Sequence, residues 1–117
     1  MADYELRNDY PPASDRPAFY AALRTELAGL LHGEHDWLAN LANTAALLTL
    51  RLTQLNWVGF YLWREGELVL GPFQGKPACV RIARGRGVCG AAAARGCTVV
   101  VPRVAEFPGH IACDAAS

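Results

Sequence analysis

The hydrophobic period of this chain changes once, at Asn56, and that change limits the possible folds more than any other feature. Upstream, apolar residues recur at helical spacing; downstream they gather into short β-branched and aromatic runs. From Asp15, an N-cap with Pro17 in the first turn, the set Phe19, Leu23, Leu27, Leu30 and Leu31 predicts a helix that ends at Gly33. A second and longer helix follows Asp36, with Leu38, Leu41, Ala45, Leu48, Leu52 and Leu55 stepping by threes and fours along one face. Residues 56–63 (NWVGFYLW) then read as a strand, Arg64 to Glu67 as a hairpin loop, and Leu68 to Leu70 as its antiparallel partner, stopped by Gly71-Pro72.

Beyond the hairpin, Cys79 to Ile82 is expected to form a third short strand. Gly85, Gly87 and Gly90 mark an irregular loop around Cys89, and Ala91 to Ala94 about one helical turn closed by Gly96. Thr98 to Val101 is expected to be a fourth strand, stopped by Pro102. Residues 1–14, with Pro11 and Pro12 and no period, read as an N-terminal arm, and residues 15–117 as one domain. Helices that cover one face of an antiparallel sheet make this an α+β fold. Four strands leave an apolar edge open where the sequence stops, so a truncated C-terminus is expected.

Composition excludes several functions. The 11 basic and 11 acidic residues cancel, and no Lys/Arg run interleaves with aromatics, so there is no footprint for nucleic acid or a membrane surface. No apolar stretch approaches the ~20 residues of a membrane span, and the acidic start lacks the apolar core of a secretory signal. The expectation is a cytoplasmic protein acting on a small, uncharged or zwitterionic molecule. In that reducing compartment, cysteines point to catalysis, redox chemistry or metal binding rather than to a disulfide framework.

Cys79, Cys89 and Cys113 each sit near glycines or prolines instead of on an apolar stripe, so all three are candidates for thiol chemistry. Cys79 also fits inward burial in an alternating strand. Cys97, which opens a valine-rich run, reads as packing. His110, three residues before Cys113, can supply a proton or raise the thiolate fraction, or serve as an ordinary loop residue. The start of a helix at Asp114 would favour a Cys113 thiolate, whereas the Asp114 charge opposes it. Trp57 alternates with Gly59 and Tyr61 on one strand face, as a pocket wall or as core. A zinc site built from Cys79, Cys89, Cys113 and His110 lacks the paired-ligand spacing of structural zinc, and no metal or other cofactor is expected.

The segments NWVGFYL (56–62), LVLGPFQGKPACVRI (68–82), GRGVCG (85–90) and FPGHIACDAAS (107–117) resemble, in order and in cysteine interval, the free methionine-(R)-sulfoxide reductases, which are GAF-domain enzymes. The resemblance implies a GAF-like domain over residues 15–117, lacking a C-terminal strand and helix. It implies reduction of free L-methionine-(R)-sulfoxide, with thioredoxin as reductant. Cys113 would be the attacking thiol, Cys79 and Cys89 the resolving pair and Trp57 a wall of the pocket; by their positions in the sequence Tyr61, His110 and Asp114 are further candidates to contact the substrate. Acidic substrate ligands would follow Ser117. GAF domains also serve as small-ligand sensors, and a ligand-binding or redox-sensing module without turnover is the alternative. A homodimer through the N-terminal helices is compatible with either.

Overall fold

The computed structural model describes residues 5–109. Within them α1 (Arg16–Leu31) and α2 (Trp37–Arg51) are followed by β1 (Trp57–Arg64), β2 (Glu67–Gly75), β3 (Arg81–Ala83), α3 (Gly87–Arg95) and a 3-10 turn at Val104–Glu106. Both long helices begin where expected, on the Asp15 cap and directly after Asp36, but the second, at 15 residues, is not longer than the first, at 16. Asp15 accepts from the Ala18 backbone nitrogen at 3.4 Å and Asp36 from that of Ala39 at 2.9 Å, each cap contributing about 1 kcal/mol.

The three described strands form an antiparallel sheet in the order β1-β2-β3. A two-residue loop, Glu65-Gly66, joins β1 to β2 with positive φ at both positions (51° and 82°), which matches the right-handed twist of the paired strands. Gly71-Pro72 does not end β2. The register moves from Gly59↔Phe73 to Tyr61↔Leu70, so β2 carries one extra residue there. That bulge absorbs a proline that cannot donate to the ladder.

Three further expectations are corrected. The third strand is Arg81–Ala83, and Cys79 lies in the loop before it. Cys89 stands on α3, not in an irregular loop. Gly90 is there for close approach rather than freedom, since a Cβ on it would stand 2.6 Å from the Ala83 carbonyl oxygen. Thr98 to Val101 is not a strand; it has no ladder among the described residues, and Val100 is 84% exposed.

The core lies between the helices and over the sheet. α2 packs on β1 and β2, and α1 packs on α2. Phe19, Leu23 and Leu47 are its buried centre, flanked by Tyr10, Leu27, Leu30, Leu48 and Leu52. Because α2 serves two neighbours, its buried positions are Ala45 and Leu47, while Leu38 and Leu55 of the expected stripe are exposed.

One charge is buried in this layer. Glu26 takes both arms of Arg51 at 2.8 Å and the Tyr10 hydroxyl at 2.6 Å, and the Arg7 backbone nitrogen donates to it at 3.3 Å. The Arg51 guanidinium lies 4.0 Å from the Tyr10 ring centroid and also donates to the Arg7 carbonyl at 2.9 Å. The cluster fastens residues 7–10 onto both helices. Burial, then the bond to Glu26, pushes the Tyr10 hydroxyl up to about 12.

Candidate active site

The β1–β2 hairpin carries an aromatic stack, called the slot below for the face it offers. Trp57 stacks on Phe73 (centroids 5.5 Å apart, planes 17° apart) and on Tyr61 (6.1 Å, 25°). Glycines make room for it. A Cβ on Gly59 would collide with the Cβ of Phe73 and stand 2.9 Å from the far edge of the Trp57 ring; one on Gly75 would stand 2.8 Å from its near edge. The Trp57 Nε1 atom is buried and finds no hydrogen-bond partner among the described residues. An unpaired buried donor costs roughly 1–3 kcal/mol, so this end of the slot favours an acceptor from outside.

Tyr61 is tied to the backbone of one candidate cysteine and feels the charge of another. Its hydroxyl donates to the Cys79 carbonyl at 2.7 Å. Burial, and then the charge Cys89 would carry, push that hydroxyl up from its ordinary value, which sets Cys89 within electrostatic reach of the same ring. Cys79 is disulfide-bonded, and Cys89 and Cys97 are free thiols. Cys89 occupies the first turn of α3, where the helix field favours a thiolate. Its surface is open to solvent, yet the surrounding protein desolvates the sulfur enough to push the thiol up. Cys97, just past the left-handed Gly96 cap, is exposed.

His110, Cys113 and Asp114 lie outside the described residues. The chain that leads to them is described as far as Gly109, which returns to the start of α3. A Cβ built on Gly109 would stand 4.0 Å from the Gly87 nitrogen, two residues before Cys89. Trp57, Tyr61 and the Cys79 backbone are thus linked by stacking and a hydrogen bond, and Gly109 is carried to the beginning of the helix that bears Cys89. Among the described residues, no three His, Cys, Asp or Glu side chains gather to hold a metal, and no helix is long and apolar enough to cross a membrane.

Phe73 escaped the sequence reading because it lies beyond Gly71-Pro72, where the strand was expected to stop, and its place opposite Gly59 depends on the bulge. Glu26 escaped it too. It falls beside Leu23, Leu27 and Leu30 on the α1 stripe, and a carboxylate there signals a buried partner.

No family model matches the chain. It is 57% identical over 103 residues to a free methionine-R-sulfoxide reductase of Escherichia coli, covering 88% of this chain and 62% of that protein. In structure it resembles the free methionine-R-sulfoxide reductase of Neisseria meningitidis, solved in complex with its substrate, with a TM-score of 0.85, 49% identity and coverage of 92% of this chain and 64% of that one. A solved GAF domain superposes with a TM-score of 0.75 at 44% identity, over 80% of this chain and 57% of its own. The chain therefore spans about 62% of the length of the Escherichia coli relative.

Proposed function

As a homologue of the free methionine-R-sulfoxide reductases, sharing their GAF fold over its shorter length, the chain belongs with that family, and we propose that it reduces free L-methionine-(R)-sulfoxide to methionine by thiol chemistry. The observation that carries this reading is the disulfide-bonded Cys79 held through its backbone by Tyr61, beside the stacked aromatics, with Gly109 returning to the start of the helix that bears Cys89.

The Cys113 thiolate attacks the sulfoxide sulfur, and the oxygen leaves that sulfur for Cys113. One thiol and one sulfoxide become a cysteine sulfenic acid and a thioether. A second thiol then attacks the sulfenic sulfur, an S–S bond forms, and the oxygen departs as water with both thiol protons. The two electrons that reduce the sulfoxide come from the two cysteines. The disulfide at Cys79 supports giving that residue the first resolving step. Cys89, a thiol raised by burial, is the weaker nucleophile at neutral pH and suits a later exchange. Thioredoxin in the cytoplasm returns the disulfide to thiols.

The Trp57–Phe73–Tyr61 slot receives the methyl sulfoxide end, through contacts of sulfur and methyl with ring faces worth up to about 1.5 kcal/mol each. His110 supplies a proton, and Asp114 stands near the zwitterionic end of the substrate.

The test offers free L-methionine-(R)-sulfoxide, its S epimer and a peptide-bound sulfoxide side by side, with dithiothreitol and then with thioredoxin. Consumption of the free R epimer alone, lost in Cys113→Ser, supports the reading. Binding of the R epimer without turnover would favour a sensing module instead.

A further inference from the structure

Between β2 and β3, residues 76–80 cross from one strand to the next without regular structure, and this loop carries Cys79. Its far end is pinned to β2 by the Leu70 backbone nitrogen, which donates to the Val80 carbonyl at 2.8 Å. The carbonyl next to it, that of Cys79, is held from β1, a strand further away, by the Tyr61 hydroxyl at 2.7 Å. Tyr61 can reach because its own ring is fixed, stacked against Trp57, which in turn stacks on Phe73. The same ring lies within electrostatic reach of Cys89 on α3.

We propose that Tyr61 is a positioning residue for the redox chemistry of Cys79, its hydroxyl clamping the Cys79 backbone so that this sulfur stands ready to form and hold its disulfide. The role differs from wall contact with a substrate, because it is exerted through the main chain of the cysteine. It rests on the reductase reading for the identity of the oxidised group that Cys79 attacks. In that step the Cys79 thiol forms an S–S bond with a sulfenic acid, the S–O bond breaks, and water leaves. Tyr61 neither gains nor loses electrons; it limits where the attacking sulfur can be. A loop free of the clamp samples more positions, so both the rate of disulfide formation and its equilibrium should fall.

The test compares the chain with Tyr61→Phe and with a variant carrying para-aminophenylalanine at position 61, which restores an N–H donor at the same place. Circular dichroism and thermal melting establish that each variant is folded. In glutathione redox buffers without any sulfoxide, mass mapping of alkylated thiols gives the fraction of Cys79 in disulfide. We expect Tyr61→Phe to move that equilibrium about fivefold to tenfold toward the thiol, the size of one lost hydrogen bond, and the amino variant to recover most of it. With sulfoxide present, a dimedone adduct should accumulate in Tyr61→Phe beyond its level in the parent. An unchanged equilibrium together with an unchanged dimedone yield in folded Tyr61→Phe would overturn the proposal. A shifted equilibrium in a chain that never consumes sulfoxide would support the clamp and count against the reductase reading alone.

Discussion

The clamp around Glu26 and the thiol face around Tyr61 are both places where polar groups enter the apolar interior, and they treat those groups in opposite ways. At Glu26 the carboxylate is met by a two-armed guanidinium, a phenol and a backbone nitrogen, and the guanidinium has an aromatic ring beside it. On the thiol face a buried indole nitrogen has no partner among the described residues, a thiol is raised by desolvation, and a cysteine backbone is held by a phenol. A polar cluster complete within itself holds a fold together. One left with spare donors and reactive sulfur is open to a ligand.

This contrast is sharpest at Glu26. Glu26→Ala removes the buried carboxylate that takes both arms of the half-buried Arg51 guanidinium and should cost about 3–5 kcal/mol in guanidinium denaturation. A loss below about 1 kcal/mol would mean that the cluster is not structural. On the other side, Gly59→Ala drives a Cβ into Phe73 and the edge of Trp57. It should cost roughly 1–3 kcal/mol and shift the tryptophan fluorescence; a neutral effect in both would show that the slot is not tightly packed.

Tyr10 gives a pH window for the clamp. Its folded hydroxyl titrates at about 12, above the ordinary value of 10.0. The unfolded chain therefore releases this proton first, and the stabilisation, complete below the ordinary value, is lost as pH climbs toward 12. The loss amounts to about 2 kcal/mol across that window. Denaturation from pH 9 to 12 should show it, and Tyr10→Phe should flatten it. The smallest effect belongs to Cys89. Its alkylation should rise through a midpoint above the ordinary cysteine value, because burial raises the thiol; a midpoint below that value would mean that the field at the start of α3 wins instead.

What could be read from the sequence divides along a physical line. Both helices, the Asp15 cap and a turn near Gly66 depend on neighbours within a few residues and were legible, although the loop was expected to span Arg64 to Glu67 and those two residues pair in the ladder. The continuation of β2 past Gly71-Pro72 was not, because a bulge opposite Phe60 takes up the proline, and a bulge is a property of two strands. Cys89 was expected in a loop because three glycines surround it. Gly90 is required by the nearness of the Ala83 carbonyl, which nothing local announces. Thr98 to Val101 has strand composition but no ladder among the described residues, and β propensity without pairing does not make a strand. The candidate site was legible as residue types. That Tyr61 reaches the Cys79 backbone across the sheet face was not.

The most direct measurement is a thiol map after a single turnover. The reduced chain is given one equivalent of free L-methionine-(R)-sulfoxide without other reductant, then alkylated and analysed by mass spectrometry. The expected result is a Cys113 linkage to Cys79 or, after exchange, to Cys89, with Cys97 still alkylated. Sulfoxide consumed while Cys79 and Cys89 both remain alkylated thiols would contradict the convergence of these sulfurs on one cavity.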